Sequence, residues 1–222
     1  KSPKNEMERF RDENVFTYKE MLWSGPSKRE EKEITAEFSL TFDNGIKLNC
    51  SNLDLTKQYR AEFWDGDNRL IYSPDNLKSG SWYKPNMTYF IPWNVKVFEN
   101  GCEIYSETFS VKDKDVYISF ESSSLGDSLS WMGQVINFKK QTKCKRVYVK
   151  TYRNELFDFE RYKEDDIHIV DYSANCDIHF YLGVFMEGEK IWKHERHLRD
   201  WRKVSIGQIA ADILGIDYIE NR

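Results

Sequence analysis

The stretch Val116-Tyr-Ile-Ser-Phe-Glu-Ser-Ser-Ser-Leu-Gly-Asp-Ser128 decides the fold that the sequence predicts. It begins with five residues typical of a short apolar strand and continues through a serine-rich turn. Four apolar residues then recur at helical spacing and predict one face of an amphipathic helix: Leu125, Leu129, Met132 and Ile136. A strand that passes directly into a helix is the first half of a βαβ unit, so a parallel, Rossmann-like sheet is expected here.

The residues that follow continue this alternation of strands and helices. Three further apolar segments are predicted to be strands: Arg146–Val149, Ile167–Val170 and Asp177–Leu182. Tyr152–Glu160 is predicted to be a short helix, and the last helix is expected over Ser205–Leu214. Gly215 stands where a helix commonly ends in a left-handed residue. Residues 113–222 are therefore predicted to form a Rossmann-like α/β domain.

The preceding segment has a different residue pattern, which is typical of antiparallel hairpins. Apolar residues alternate with polar ones from Ile34 to Phe42, and Asn44-Gly45 provides the positive φ angles of a tight turn. Two more hairpins follow, Tyr59–Ser73 and Tyr89–Phe109. We expect an antiparallel β module over residues 34–112, preceded by a polar tether or helix over residues 1–33. The predicted fold class is α+β, the module being followed by the Rossmann-like domain.

Composition excludes several classes of protein. The chain has 33 basic and 37 acidic residues and a net charge of −4, which gives no electrostatic case for binding nucleic acid or an anionic membrane. The longest apolar run, Phe180–Met186, is far shorter than a membrane span of roughly 20 residues. The four cysteines lie far apart, as expected of free thiols in a reducing compartment. We therefore predict a soluble, cytoplasmic protein with no membrane span.

The strongest candidate for chemistry is the segment Ser124–Ser128. In an open α/β sheet, ligands bind where strands end and helices begin. Gly126 would let a ligand approach the backbone, and the amides that follow carry a partial positive charge. Asp127 would then lie beside the ligand, where its carboxylate could accept a proton. The alternative at this point is that Asp127 and Ser128 only cap the helix.

Two other groups of residues have a chemical interpretation and a structural one. Asp65 and Asp67 match a D-x-D metal motif, but they lie in a hairpin turn whose geometry explains both aspartates. His194 and His197 are three residues apart and could share a metal on a helix. The neighbouring basic residues would repel a cation, which favours a surface location for both histidines. Metal binding is the weaker interpretation in each case.

Five motifs together resemble a known family. Tyr59-Arg-Ala-Glu-Phe-Trp-Asp-Gly-Asp67, Ser81-Trp82 and Tyr89–Phe98 are similar to the N-terminal β module of the autotransporter strand-loop-strand O-heptosyltransferases. Leu125-Gly-Asp-Ser-Leu-Ser-Trp131 matches the Leu-Gly-Asp segment that follows in that family. Phe180–Gly183 and Ala211–Asp217 resemble a later strand and a helix end. The resemblance covers about residues 34–220, which would be only the N-terminal part of such a protein.

The resemblance implies the first half of a GT-B type glycosyltransferase, related to the lipopolysaccharide heptosyltransferases. Asp127 would be the catalytic base that deprotonates a Ser or Thr hydroxyl of a protein acceptor, in an inverting transfer from a nucleotide-sugar. The residues expected to bind substrate around it are Leu125, Gly126, Ser128 and Trp131. No cofactor and no metal are expected in this half, because helix amides and positive groups can hold a diphosphate. Self-association into a homo-oligomer is left open.

The chain also departs from the family's pattern. Such enzymes bind the donor mostly with a second Rossmann domain, expected about where this chain stops, and some members carry a C-terminal, iron-binding cysteine cluster that the four cysteines here do not replace. The alternative function is therefore a non-catalytic binding or assembly module derived from a glycosyltransferase that lost its donor domain. A small-molecule α/β enzyme of another class, using the same crevice at Gly126 and Asp127, is a third option.

Overall fold

The fold is described from a computed structural model of the chain, which covers residues 35–185 and 191–220. The tether or helix predicted over residues 1–33 lies outside the described residues. The described residues belong to one compact unit, residues 35–222. They are sheet-rich and of mixed α+β type, which confirms the predicted fold class at that level.

Seven strands form the larger sheet, in two groups of opposite character. The strands are β1 (Glu37–Asp43), β2 (Ile46–Ser51), β5 (Ser81–Tyr83), β8 (Asp115–Phe120), β9 (Arg146–Lys150), β10 (Ile167–Val170) and β11 (Ile178–Leu182). Their order in the sheet is β10-β9-β8-β11-β1-β2-β5. The first five run parallel to one another, whereas β2 and β5 pair antiparallel at one edge. The five parallel strands are thus extended at one edge by two antiparallel strands.

The smaller sheet is entirely antiparallel. Its strands are β3 (Tyr59–Trp64), β4 (Leu70–Tyr72), β6 (Asn94–Glu99) and β7 (Cys102–Thr108), in the order β4-β3-β6-β7. Two of its turns contain the residues that such turns require, since Asn68 and Asn100 both have positive φ. Buried and half-buried residues alternate along β3 and along most of β6, as expected of strands with one face in the core.

The predicted layout of a self-contained antiparallel module ahead of the Rossmann-like domain is not confirmed. Three strands of the predicted module, β1, β2 and β5, belong to the same sheet as the parallel strands. Phe42 of β1 contacts Phe180 of β11, with ring centroids 4.8 Å apart, and both side chains lie in the core. Alternation along a strand predicts which face is buried but carries no information about which strand lies beside it.

The described residues contain three α-helices, α1 (Leu125–Thr142), α2 (Phe159–Lys163) and α3 (Ile206–Leu214), and two 3-10 helices, Asn154–Leu156 and Trp201–Lys203. The single helix predicted over Tyr152–Glu160 is wrong, because the first 3-10 helix ends at Leu156 and α2 begins at Phe159. The ends of α3 are as predicted: the Ser205 hydroxyl accepts a hydrogen bond from the Gln208 amide at 3.1 Å, and Gly215 has φ of 68°. Among the described residues, no helix combines the length and the apolar character that crossing a membrane demands.

The predicted buried face of α1 is only partly right. Met132 is 2% exposed and lies in the core, but Leu125 and Leu129 are each 53% exposed. The face toward the core also carries Trp131, Val135 and Phe138. These three share the helical spacing of a buried stripe equally well. Polar residues lie between these positions, so the sequence does not show the buried stripe clearly. They are satisfied in the fold by the C-terminal segment: Gln134 and Asn137 donate to the Ile219 carbonyl oxygen.

Candidate active site at the carboxyl edge of the sheet

The strand order makes the position between β8 and β11 a switch point of the sheet. Open α/β sheets bind ligands outside the carboxyl ends of the strands at such a point, and we call this expected ligand site the crevice. From β8 the chain passes through α1 to β9 and then to β10 on one side, and it returns to β11 on the other side. The order of the strands therefore reverses at β8, with β9 and β10 on one side of it and β11 on the other. At such a switch point the loops separate and leave a ligand-sized crevice outside the carboxyl ends of the strands. The loops that border it are residues 121–124 and 183–185.

Asp127 lies at this crevice in the first turn of α1 and is half-exposed. Its Oδ2 accepts a hydrogen bond from the Ser122 hydroxyl at 2.6 Å. The Ser122 oxygen in turn accepts from the Ser124 amide at 3.1 Å, which fixes the direction of the hydroxyl. The carboxylate is thus fixed through its Oδ2, and it lies at the N-terminal, partially positive end of the helix dipole.

Capping does not explain Asp127 or Ser128. The N-cap residue is Ser124, and its side chain makes no capping hydrogen bond. The Ser128 hydroxyl donates to the Ser124 carbonyl oxygen at 3.0 Å, so it is bonded to a carbonyl and not to a free amide. The start of α1 therefore has amides without a side-chain cap, next to a carboxylate held by Ser122.

The predicted substrate-binding residues divide into two pairs. Gly126 and Leu125 are exposed at the crevice, and a Cβ built on Gly126 would meet only the Ser124 hydroxyl oxygen, at 3.9 Å. Packing within the chain thus leaves open space at Gly126. Ser128 and Trp131 are buried instead, and the Trp131 indole lies 5.5 Å from the Phe120 ring in an edge-to-face contact. The structure does not bring these two side chains to the crevice, because they hold α1 against the sheet.

Two further residues, which the sequence analysis did not assign to the site, border the crevice. A Cβ on Gly183 would lie 3.2 Å from the Glu121 Cβ and 3.1 Å from the Phe185 ring, so the loops after β8 and β11 meet closely there. Arg153, which follows β9, donates from Nε to the Ser123 carbonyl oxygen at 2.9 Å. Its guanidinium brings a positive charge to the loop that carries Ser122, and it also lies 3.5 Å from the Glu155 carboxylate. No local signal marks Arg153, because its contact spans 30 residues.

His197 anchors the loop after β11. Its side chain is 3% exposed, and its Nε2 accepts a hydrogen bond from the Phe185 amide at 3.0 Å. The expected surface location is therefore wrong for His197, although His194 is exposed as predicted. Burial lowers the pKa of His197, and the charge of Arg196 adds to the lowering. A neutral imidazole is needed here, because only the neutral ring can accept from an amide.

We expect the stability that His197 contributes to be lost in acid. A lowered pKa in the folded chain means that the unfolded chain binds the proton first, so the contribution is complete above about pH 6.5 and falls as the pH drops toward the folded-state pKa. His197→Gln should thus destabilise the protein at pH 7 and matter less at pH 5. Denaturant unfolding of wild type, His197→Gln and the exposed control His194→Gln at several pH values measures this. A destabilisation independent of pH would contradict it.

The turn interpretation accounts for Asp65 and Asp67. Asp65 is buried, and its carboxylate accepts hydrogen bonds from the amides of Asp67 and Arg69, each at 2.9 Å. The Arg69 Nε donates to its second oxygen at 2.8 Å. Within residues 35–185 and 191–220, no group of three or more histidine, cysteine, aspartate and glutamate side chains is placed to hold a metal ion. All four cysteines are free thiols, and burial raises the pKa of Cys50 to about 11.

Comparisons with curated proteins relate the chain to one group of enzymes. It is 25% identical over 166 residues to the autotransporter heptosyltransferase TibC of Escherichia coli O78:H11, covering 72% of this chain and 39% of TibC. It is 30% identical over 183 residues to the autotransporter heptosyltransferase Aah of Escherichia coli, covering 79% of this chain and 44% of Aah. A shorter match is to the inactive autotransporter heptosyltransferase BimC of Burkholderia thailandensis. It is 32% identical over 57 residues, covering 26% of this chain and 14% of BimC. No protein-family model matches the sequence.

The fold agrees with these matches. The crystal structure of the iron-containing, dodecameric glycosyltransferase TibC superposes with a TM-score of 0.69 at 22% identity, over 83% of this chain and 47% of TibC. The relatives are heptosyltransferases, which form a class of glycosyltransferases. Within the class, the chain is homologous to the autotransporter heptosyltransferases. It spans less than half the length of TibC and of Aah.

The structure of TibC corrects the prediction that no cofactor is involved. TibC is described as an iron-containing glycosyltransferase, so a metal is part of that protein. The residues described in the present chain do not fit such a site, since they include no suitable cluster of ligands. No chemical step at Asp127 is therefore derived through a metal.

Proposed function

We propose that the chain is the acceptor-side, N-terminal part of a GT-B type glycosyltransferase, and that it transfers a sugar from a nucleotide-sugar to a Ser or Thr hydroxyl of a protein. The observation that carries the proposal is the Asp127 carboxylate at the switch-point crevice, held by Ser122 and not used in capping. Homology to heptosyltransferases supports this assignment. The donor would be ADP-heptose, because TibC has been solved with ADP-D-β-D-heptose.

In the proposed reaction Asp127 is the general base. Its carboxylate takes the proton of the acceptor hydroxyl while the hydroxyl oxygen bonds to the anomeric carbon of the sugar. The bond between that carbon and the phosphate oxygen breaks, and its electron pair leaves with the nucleoside diphosphate. Attack opposite to the leaving group inverts the anomeric configuration. Because Ser122 donates to Oδ2, the hydrogen bond fixes the carboxylate and leaves Oδ1 to receive the proton.

Positive groups at the crevice support the departure of a diphosphate. The uncapped amides at the start of α1 point outward, and the helix dipole adds partial positive charge there. The Arg153 guanidinium is fixed to the same loop through the Ser123 carbonyl oxygen. We assign these groups to the acceptor side of the transfer, and a second Rossmann domain would hold most of the donor. Because TibC is dodecameric, we also propose that this protein self-associates.

The test is a transfer assay with the full-length protein, ADP-heptose and a protein acceptor, in which the acceptor's mass is measured. We expect transfer by wild type and a rate about tenfold lower for Ser122→Ala, because the carboxylate loses the hydroxyl that orients it. Ser123→Ala is the matched control, since its hydroxyl makes no contact with Asp127 and its carbonyl remains. A folded wild-type protein that transfers no sugar from any nucleotide-sugar would refute the proposal.

A non-catalytic assembly module is the second candidate, and one observation favours it. BimC, which matches over 57 residues, is described as inactive, so catalysis has been lost in at least one relative. A chain of this kind would keep the fold and serve as a subunit or docking surface. Such a protein would show no transfer activity but would self-associate stably or bind a partner. If substitutions at Asp127 left this association unchanged, the result would favour the second function over the first.

A further inference from the structure

The loop after β8 carries a second carboxylate, which the proposed reaction does not use. Glu121 is the first residue beyond β8 and is exposed, and Ser122, whose hydroxyl holds Asp127, follows it directly. The Glu121 amide donates to the Leu182 carbonyl oxygen at 2.8 Å, so its backbone is fixed to the end of β11. Glu121 therefore lies at the switch point, one residue from the hydroxyl that orients Asp127.

Ser119 fixes the direction of the Glu121 side chain. The Ser119 hydroxyl donates to the Glu121 Oε1 at 2.7 Å, and Ser119 is only 6% exposed. Residues two apart along an extended chain have their side chains on the same side, and this hydrogen bond shows that the two do so here. The carboxylate is thus oriented by a buried hydroxyl, as Asp127 is oriented by the hydroxyl of Ser122.

Gly183 leaves the space beside the stem of Glu121. A Cβ built on Gly183 would lie 3.2 Å from the Glu121 Cβ, which is closer than ordinary van der Waals contact. The Phe185 ring lies 3.1 Å from the same built atom. The loops after β8 and β11 therefore confine the stem of Glu121, while the residue remains exposed at the crevice.

The Glu121 carboxylate keeps both its charge and most of its acceptor capacity. Its Oε1 accepts the Ser119 hydroxyl, whereas no residue in the part of the chain that the structure describes forms an ion pair with it or donates to its Oε2. A carboxylate has two oxygens and about four positions at which it can accept a hydrogen bond. Most of these positions on Glu121 are therefore available to a ligand.

The negative charge of Glu121 limits which part of the substrate can lie against it. A diphosphate next to Glu121 would be repelled, because like charges at short range interact unfavourably. The groups that favour an anion lie elsewhere on the crevice, namely the uncapped amides at the start of α1 and the Arg153 guanidinium. We therefore expect the phosphates to lie toward α1 and Arg153, and a neutral part of the substrate to face Glu121.

Hydroxyl groups are the neutral groups that suit such a carboxylate. A hydrogen bond to an ionised acceptor is roughly twice as strong as one between neutral groups. In the proposed reaction the acceptor side chain offers a single hydroxyl, and Asp127 takes its proton. The sugar of the proposed donor offers several hydroxyls, and all of them remain on the sugar during transfer. The donor sugar is therefore the part of the substrate that fits Glu121.

We propose that Glu121 accepts hydrogen bonds from hydroxyl groups of the donor sugar and so orients the sugar beside Asp127. Ser119 is the positioning residue, since it holds one carboxylate oxygen and leaves the other to the sugar. This inference rests on the proposed function for the identity of the ligand. If Glu121 only satisfied the buried Ser119 hydroxyl, no charge would be needed, because a neutral amide oxygen can accept the same hydrogen bond. Glu121→Gln therefore separates the two roles.

The test compares the binding of ADP-heptose and of ADP by calorimetric titration, in full-length protein carrying Asp127→Asn, so that transfer plays no part. Adding Glu121→Gln should raise the dissociation constant for ADP-heptose about tenfold, because the charged acceptor is lost, and should leave that for ADP unchanged. Adding Ser119→Ala should raise the dissociation constant for ADP-heptose about threefold, because the carboxylate is no longer oriented. With Asp127 intact, Glu121→Gln should raise the KM for ADP-heptose and leave kcat unchanged.

Glu103→Gln is the matched control, because Glu103 is an exposed carboxylate on β7 of the smaller sheet; it should bind both ligands like the parent protein. Equal weakening of ADP and ADP-heptose by Glu121→Gln would indicate a purely structural role, and tighter binding of both would place the diphosphate at Glu121. Either result would overturn the proposal, as would no change, a higher KM for the protein acceptor alone, or failure of the parent protein to bind ADP-heptose. If wild type transfers no sugar while Glu121→Gln still weakens ADP-heptose binding alone, only the proposed function is refuted.

Discussion

Replacing Asp127 with Asn is expected to lower the rate of sugar transfer by about a hundredfold to ten-thousandfold, the range in which a general base contributes. An amide cannot take the proton of the acceptor hydroxyl, although its shape is almost that of the carboxylate. The Ser122 hydroxyl can still donate to the amide oxygen, so the loop after β8 should keep its conformation. The loss of a negative charge from the first turn of α1 should cost only about 0.3–1 kcal/mol of stability.

The measurement pairs kcat with the free energy of unfolding for each variant. Asp165→Asn is the control, because Asp165 is exposed in the turn after α2 and remote in sequence from the crevice. It should leave both quantities unchanged. Asp127→Glu tests placement, since it keeps the carboxylate but moves it by one methylene away from Ser122. Full activity of Asp127→Asn would remove Asp127 from the proposed mechanism, whatever the stability of the variant.

Local patterns predicted the elements of the fold well, because local physics forms them. Alternation over Ile46–Cys50 marked a strand, and Asn-Gly marked the turn before it, where Asn44 has φ of 52°. The helix end at Gly215 was predicted because few other residues adopt its left-handed conformation. What could not be predicted was the partner of β1, since its pairing with β11 joins residues more than a hundred positions apart.

The candidate site shows the same division between local and distant information. Asp127 was found because the change from strand to helix is visible in the sequence and locates the carboxyl edge of the sheet. The contacts that shape its surroundings come from elsewhere, as with Arg153 on the Ser123 carbonyl oxygen and His197 on the Phe185 amide. Trp131 was assigned to the substrate side because it is close to Asp127 in sequence, yet it lies one helical turn further along α1, where its indole is 1% exposed and packs on Phe120.

A large loss of stability is expected when a single methyl group is added at Gly215, in the variant Gly215→Ala. Its φ of 68° is costly for any residue with a Cβ, by roughly 1–2 kcal/mol. A Cβ there would also lie 2.5 Å from the Phe90 Cδ1 and 2.8 Å from the Phe90 carbonyl oxygen. Phe90 cannot move aside easily, because its amide donates to the Ile213 carbonyl oxygen at 3.0 Å and its ring packs against Phe42 and Phe180.

A comparison with Gly80 separates the cost of the left-handed conformation at Gly215 from the cost of the contact with Phe90. Its φ of 75° is nearly the same, but a Cβ built on it meets nothing within 4 Å. Gly80→Ala should therefore lose only the conformational cost of about 1–2 kcal/mol, whereas Gly215→Ala should lose about 1–3 kcal/mol more from the forced contact with Phe90. Denaturant unfolding of both variants measures the difference. Equal losses would mean that α3 shifts freely against the segment carrying Phe90, and the contact between them would then contribute little to holding α3 in place.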